Sequence, residues 1–322
     1  MSLNRRHAAV GILALAGAML PQGRARAQTP PEIASIDDTP AHIGTGKDKF
    51  EHLVAPVMIN DQGPFQFMLD TGANTSCISN DLAHRLMLAS TRPAIVHTVV
   101  GARERPGVLI DRLEVGARTR RAVRVAALPL GAQLDGILGV DWLKGQRLEL
   151  DFRSDSIAIT RSKHEVSRDG VAVVPARQNL GQLTIVDADA SGKRIRAMID
   201  SGSQMSICNA PLRALVADAN RRALRDDTHP RVGLETVAGE QFSGEMLYLP
   251  FLRLGGLQLG IVPLVYADVP VFDLWGLRQT PAIILGMDLL SQFDAISLDF
   301  GQAQVTFDLA PSTTTSAAIG SA

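Results

Sequence analysis

Two aspartates stand out by their surroundings. Asp70 ends the apolar run Phe67-Met68-Leu69 and is followed by Thr71-Gly72, while Asp200 ends Ala197-Met198-Ile199 and is followed by Ser201-Gly202. An apolar run carries a carboxylate into a partly desolvated place. The hydroxyl residue can donate or accept at the turn, and glycine lets another backbone approach closely. A single such tripeptide is as readily an ordinary turn. Two copies brought to one axis would set the carboxyl groups side by side, where they cannot both ionise and so hold one proton between them. The ionised member then acts as base toward a water held by the pair, and the protonated member donates to the carbonyl oxygen of a scissile amide. Their apparent pKa values belong to the pair. This chemistry calls for no metal, no cofactor and no covalent intermediate.

The elements that must position these residues are visible as an internal repeat. Phe67–Ser76 aligns with Ala197–Ser206 without gaps at an offset of 130 residues, and Ser79-Asn80-Asp81-Leu82 meets Asn209-Ala210-Pro211-Leu212 at the same offset. Both tetrapeptides read as helix starts, with a capping side chain followed by Asp or Pro in the first turn. Thr98–Gly101 then matches Thr236–Gly239 at 138, and Leu113–Gly116 matches Leu252–Gly255 at 139. Ile137-Leu138-Gly139-Val140-Asp141 matches Ile284-Leu285-Gly286-Met287-Asp288 at 147. The first drift fits a longer, charged helix near Arg213–Asp227, and the last an insertion around Tyr266–Thr280. Short apolar runs such as Val54–Ile59, Phe65–Leu69, Val108–Ile110 and Val171–Val174, punctuated by Gly, Pro and Asp, predict strands. The chain therefore reads as mainly β: two copies of one unit, residues 45–160 and 171–310, joined by the polar stretch 161–170. Each copy carries one clear helix after its aspartate motif, with room for a short one after the Ile-Leu-Gly block.

The 322 residues suffice for two domains of ordinary size, and 46% apolar content with 20% charge predicts a folded chain. With 32 basic and 33 acidic residues the net charge is -1. Basic clusters at 118–124 and 221–225 lack interleaved aromatics and read as solvated faces, so nucleic acid is not expected as a partner. Arg5 and Arg6, the run Ala8–Leu20 and Ala25-Arg26-Ala27 have the layout of a signal peptide over residues 1–27. The run is shorter than the about 20 residues that a bilayer span takes. Export to the periplasm or medium is the expectation, with the general and twin-arginine routes both open. Residues 28–44 are expected as an N-terminal linker and 311–322 as a disordered tail. Cys77 and Cys208 read as small buried hydrophobes.

These blocks resemble the aspartic peptidases of the pepsin and retroviral-protease clan, whose catalytic motif is apolar-apolar-Asp-Thr/Ser-Gly. In that clan a second apolar-apolar-Gly block threads behind the first to complete a ψ-shaped loop. Met68–Gly72 with Ile137–Gly139 fits one lobe, and Met198–Gly202 with Ile284–Gly286 fits the other. The likeness spans residues 45–310 and is nearest to bacterial retropepsin-like proteins, as if a retroviral-type dimer were fused into one polypeptide. It implies two lobes about a pseudo-twofold axis, catalytic Asp70 and Asp200, and loops held together across the lobes by Thr71 and Ser201. Gly72, Gly202 and Ser203 would support those loops, and Gly139 and Gly286 would form the ψ-passes. The hairpin tips Val99-Val100-Gly101 and Val237-Ala238-Gly239 would be flaps over a bound peptide. The chain departs from pepsins in having no tyrosine at either flap, since Tyr248 and Tyr266 lie elsewhere.

One asymmetry yields its own expectation. Ala73 follows the first Asp-Thr-Gly, whereas Ser203 follows the second Asp-Ser-Gly. If the Ser203 hydroxyl donates to Asp200, Asp200 is the ionised partner and Asp70 the protonated one. Asp141 and Asp288 read as helix caps, and Trp142, Trp275 and Phe272 as packing residues, with the 266–280 insertion able to overhang the cleft. No metal-binding spacing is present. The sequence thus predicts a monomeric aspartic endopeptidase acting on a peptide or protein substrate. An exported peptide-binding protein of the same fold is the main rival, and a hydrolase turning the same acid pair on a non-protein amide a more distant one.

Overall fold

A computed structural model describes residues 8–10, 13–14, 41–47, 52–131, 134–143, 145–179, 183–223 and 230–309. The chain is mainly β, in two barrel-like lobes that share a common base. Short apolar runs form the strands because both of their faces are covered. Gly136–Leu138 and Ala282–Leu285 are buried along their whole length. Where only one face is covered, burial alternates, as in Ser156–Arg161, whose Ile157 and Ile159 point inward.

The base is an antiparallel sheet contributed by both halves. Its order is Ala41–Gly44, Ser156–Arg161, Gln146–Asp151, Ala295–Asp299, Gln304–Asp308 and Val171–Asn179. The central pair joins the lobes in the register Leu148↔Leu298, and the sequence of strands outward from it is the same on each side. That is the pseudo-twofold relation expected from the repeat. Ala41–Gly44 falls in the stretch 28–44 expected as a linker, so the first lobe begins earlier than residue 45.

Above the base, each lobe threads one short strand behind its aspartate. Gly136–Leu138 runs parallel to Phe67–Leu69 and antiparallel to Ile78-Cys77. Ala282–Leu285 runs parallel to Arg196–Ile199 and antiparallel to Ile207-Cys208. The helices that follow start as predicted: Ser79 Oγ accepts from Leu82 N at 3.0 Å, and Asn209 Oδ1 from Leu212 N at 3.2 Å. Asn80–Arg85 has 6 residues and Ala210–Ala223 has 14, which accounts for the eight-residue drift in the repeat. Continuation of the second helix toward Asp227 lies outside the described residues.

Long hairpins rise over the middle of the molecule, Ala89–Thr98 with Gly101–Val115 and Arg231–Thr236 with Gln241–Leu254. The 266–280 insertion folds into a one-turn helix, Val271–Leu274, and its Phe272 and Trp275 pack edge to face at 6.0 Å between ring centroids. Val271–Leu274 is a helix beyond those expected, whereas Met287–Leu290 follows the Ile284–Gly286 block, where a short one was open.

Within the segment read as a leader, Ala8–Val10 pairs in parallel with Leu234–Thr236, and Leu13-Ala14 pairs antiparallel with Thr98-His97. The rest of 1–27, residues 28–40 and the tail 311–322 lie outside the described residues. Cys77 and Cys208 are both buried and free. No helix among the described residues is long and apolar enough to cross a membrane.

Candidate active site

Asp70 and Asp200 arrive at the pseudo-axis at the ends of buried strands, and neither has exposed surface. Each is fixed by the threaded strand behind it: Asp70 N donates to Leu138 O at 3.0 Å and Asp200 N to Leu285 O at 3.1 Å. The following turns then aim the carboxyl groups. Gly72 N donates to Asp70 Oδ1 at 2.8 Å, and Gly202 N to Asp200 Oδ1 at 2.9 Å. The two carboxyl groups lie within hydrogen-bonding reach of each other. Asp70 Oδ2 and Asp200 Oδ2 meet no donor among the described residues. The glycines are dictated by this approach: a Cβ on Gly72 would lie 2.5 Å from the Asp200 carboxyl carbon, and one on Gly202 would lie 2.3 Å from that of Asp70.

Thr71 and Ser201 lock the loops to each other. Thr71 Oγ1 donates to Ile199 O at 3.0 Å and accepts from Ser201 N at 2.9 Å. Ser201 Oγ donates to Leu69 O at 2.9 Å and accepts from Thr71 N at 3.1 Å. All four bonds cross between the lobes and all are buried, so none is weakened by competing water.

Gly139 and Gly286 occupy the passes behind the aspartate loops. A Cβ at Gly139 would meet Ala73 O at 2.7 Å, and one at Gly286 would meet the Met205 carbonyl carbon at 2.7 Å. A further support was missed in the sequence. Ser76 donates from N and Oγ to Asp141 Oδ1 at 3.0 and 2.8 Å, while its Oγ accepts from Gly139 N at 3.1 Å. Ser206 repeats this with Asp288 Oδ2 and Oδ1 at 3.0 and 2.7 Å and with Gly286 N at 3.0 Å. Asp141 and Asp288 therefore clamp the aspartate loops to the threaded strands, and Gly286, the N-cap of α-helix Met287–Leu290, makes no side-chain cap bond. The signal was present, because Ser76 and Ser206 align in the same repeat. Burial raises the pKa of both clamp carboxyls, against the hydroxyl bonds that lower it.

Burial likewise dominates the central pair. It raises Asp70 to about 7, against the lowering effect of the hydrogen bond with Asp200 and of the Gly72 amide. Asp200 is raised well above the ordinary carboxylate range, by burial first and then by the charge of Asp70. The pair therefore first ionises above the ordinary carboxylate range. The hydroxyl expected to make Asp200 the ionised partner is engaged elsewhere. The Ser203 hydroxyl does not reach the Asp200 carboxyl; it donates to Met205 O at 2.8 Å, a carbonyl of its own loop.

The hairpin tips close over this centre. Val99 and Val100 form the turn of the first, which closes with Thr98 opposite Gly101. Val237, Ala238 and Gly239 form the turn of the second, with Gly239 N donating to Thr236 O at 2.9 Å. Val99 is fully buried and belongs to a core cluster with second-lobe residues that include Met198, Leu234, Phe272 and Trp275. Val237 packs in turn against first-lobe residues including Met68, Cys77 and Ile137. Trp142 lies in the first-lobe core beneath Arg120, at 4.6 Å. Among the described residues no cluster of His, Cys, Asp or Glu has metal-binding form.

A comparison with protein families matches residues 55–142 and 186–289, more than half of the chain, to a family described as Aspartyl protease. Each match contains one aspartate loop and the strand threaded behind it. A search of curated proteins gave no match.

Proposed function

The chain belongs to the aspartyl protease family, and from that premise we propose that it is an endopeptidase hydrolysing peptide bonds with a water activated by Asp70 and Asp200. The observation that carries this reading is the meeting of two buried carboxyl groups, each held by one glycine amide through Oδ1 and each with an Oδ2 that meets no donor among the described residues. A water between those oxygens has an acceptor on both sides. In this reading Asp70 is the ionised member and takes a proton from it as it attacks the scissile carbonyl carbon. Asp200 gives its proton to the carbonyl oxygen, forming a neutral tetrahedral diol. Collapse returns the diol proton to the pair as the leaving nitrogen takes one from it. The C–N bond breaks, acid and amine products leave, and the pair again holds one proton.

The substrate in this reading is an extended peptide laid between the hairpins and the aspartate loops, pairing through its backbone and offering alternate side chains to the apolar walls. The site is complete within one chain, consistent with action as a monomer, and the leader-like N-terminal layout supports export. Because ionisation of the first carboxyl generates the base, activity rises with pH along an acidic limb displaced upward from the ordinary carboxylate range.

The test is cleavage of a mixed peptide library between pH 3 and 8 by the parent chain, Asp70→Asn and Asp200→Asn, with and without a transition-state-mimicking aspartic-peptidase inhibitor. The parent is expected to cleave and to be inhibited, and each variant to lose about 10³-fold or more in turnover while remaining folded. Undiminished turnover by either variant overturns the shared-pair mechanism. Peptide binding without cleavage by the parent would place the chain with binding proteins of the same fold.

A further inference from the structure

The two hairpin tips are tied to each other by one side chain. Glu240 follows the second tip, its side chain 17% exposed, and each of its oxygens meets a donor of the first hairpin. Thr98 Oγ1 donates to Oε2 at 2.7 Å, and Arg103 Nε to Oε1 at 3.3 Å. The Glu240 backbone is itself pinned: Thr236 N donates to Glu240 O at 2.8 Å, and Glu240 N to Thr236 Oγ1 at 3.1 Å. The carboxylate is thus held at one end by its own turn and at the other by the opposite lobe.

The repeat shows how one-sided this arrangement is. At the offset of 138 that aligns the tips, Thr236 stands opposite Thr98, but Glu240 corresponds to Ala102 and Gln241 to Arg103. The acceptor sits on the second hairpin alone and the charged donor on the first alone. Asp70 and Asp200 have no exposed surface, with the tips and the N-terminal strands paired to them in place. Parting of the two tips breaks both Glu240 contacts.

We propose that Glu240 is the latch of the closed cleft, a positioning residue that sets how often the hairpins part to admit a peptide. The proposal rests on the reading of the cleft as a peptide site. Removing the carboxylate deletes a charge-assisted hydrogen bond to a buried threonine and a half-screened ion pair, so opening becomes about tenfold more frequent. Glu240→Gln keeps an acceptor for Thr98 but loses the charge that faces Arg103, and falls between, at about threefold.

The experiment compares the full chain with Glu240→Ala, Glu240→Gln and, from the other side of the contact, Thr98→Val. Amide hydrogen exchange at residues 97–101 and 236–240 and the association rate of a transition-state-mimicking peptide inhibitor are both measured. Glu240→Ala and Thr98→Val are each expected to speed exchange at both tips and inhibitor association about tenfold, with exchange in the base strands unchanged. Combining them should add little beyond the loss of the Thr98 Oγ1 contact with Gly101 O at 3.2 Å, because both remove the same tie between the tips. With substrate, the loss should appear as a changed KM at nearly constant kcat. Unchanged exchange and association in Glu240→Ala overturns the latch, and so does faster exchange spread evenly over the whole chain. If the parent neither cleaves peptides nor binds the inhibitor, the peptidase reading fails while tip exchange still decides the latch.

Discussion

Asp70→Asn should make the fold more stable, and by an amount that depends on pH in a stated direction. In the unfolded chain a free Asp ionises near the ordinary value of 3.8, whereas burial holds Asp70 protonated up to about 7. Between those values the native state binds a proton that the unfolded state has released, so stability falls as pH rises through the window. Below 3.8 both states are protonated and the penalty vanishes; above 7 it is complete. A difference of about three pKa units corresponds to about 4 kcal/mol. Asparagine is nearly isosteric, can still accept from Gly72 N through its oxygen and can donate to Asp200, yet it never ionises. The variant should therefore match the parent near pH 3.5, exceed it by about 2 kcal/mol at pH 5.5 and by about 4 kcal/mol at pH 8. Equilibrium urea denaturation of both proteins at those three pH values measures this. A stability difference that is the same at all three, or a parent that is the more stable at pH 8, would refute the claim that burial sets the protonation of this pair.

Three further outcomes follow from contacts in the site. Gly72→Ala places a methyl group against the Asp200 carboxyl, where a Cβ would lie 2.5 Å from its carbon. Turnover should drop about 10²-fold or more through misplacement of the acid pair, and a variant with parental kcat would show that the loops have room to spare. Thr71→Val removes the hydroxyl that donates to Ile199 O and accepts from Ser201 N. Leaving those buried groups unpaired should cost about 2–4 kcal/mol in denaturant unfolding; a loss below ~0.5 kcal/mol would contradict the cross-lobe lock. Ser206→Ala strips Asp288 of one hydroxyl donor and Gly286 N of its acceptor, with an expected cost of about 1–3 kcal/mol and a further rise in the Asp288 pKa, readable by carboxyl NMR titration. A lowered Asp288 pKa would count against the clamp.

Much of this was legible because the chain states its plan twice. Identical spacing around Asp70 and Asp200 fixed both loops, both helix caps and both threaded strands, and the growth in offset matched the longer second helix. What escaped depends on distances that spacing does not encode. Asp141 and Asp288 sit where a cap is plausible, yet the serines that claim them lie 65 and 82 residues earlier. Ser203 was expected on a carboxyl, but a carbonyl two residues on is the nearer acceptor within a tight loop. The Glu240 contact joins residues 142 apart in sequence and breaks the repeat, so the symmetry that revealed the rest concealed it.

The shared base has a consequence for how the protein behaves at low concentration. Strands of both halves are interleaved there, with Arg147 Nη2 donating to Ser297 Oγ across the central seam at 2.8 Å, and the same polypeptide runs through both. A site assembled from two separate subunits empties as its solution is diluted, because the halves drift apart. Here the two acids are tethered for the lifetime of the chain, so specific activity should stay level from micromolar to picomolar protein. The same interleaving makes the floor a footing that belongs to both halves at once.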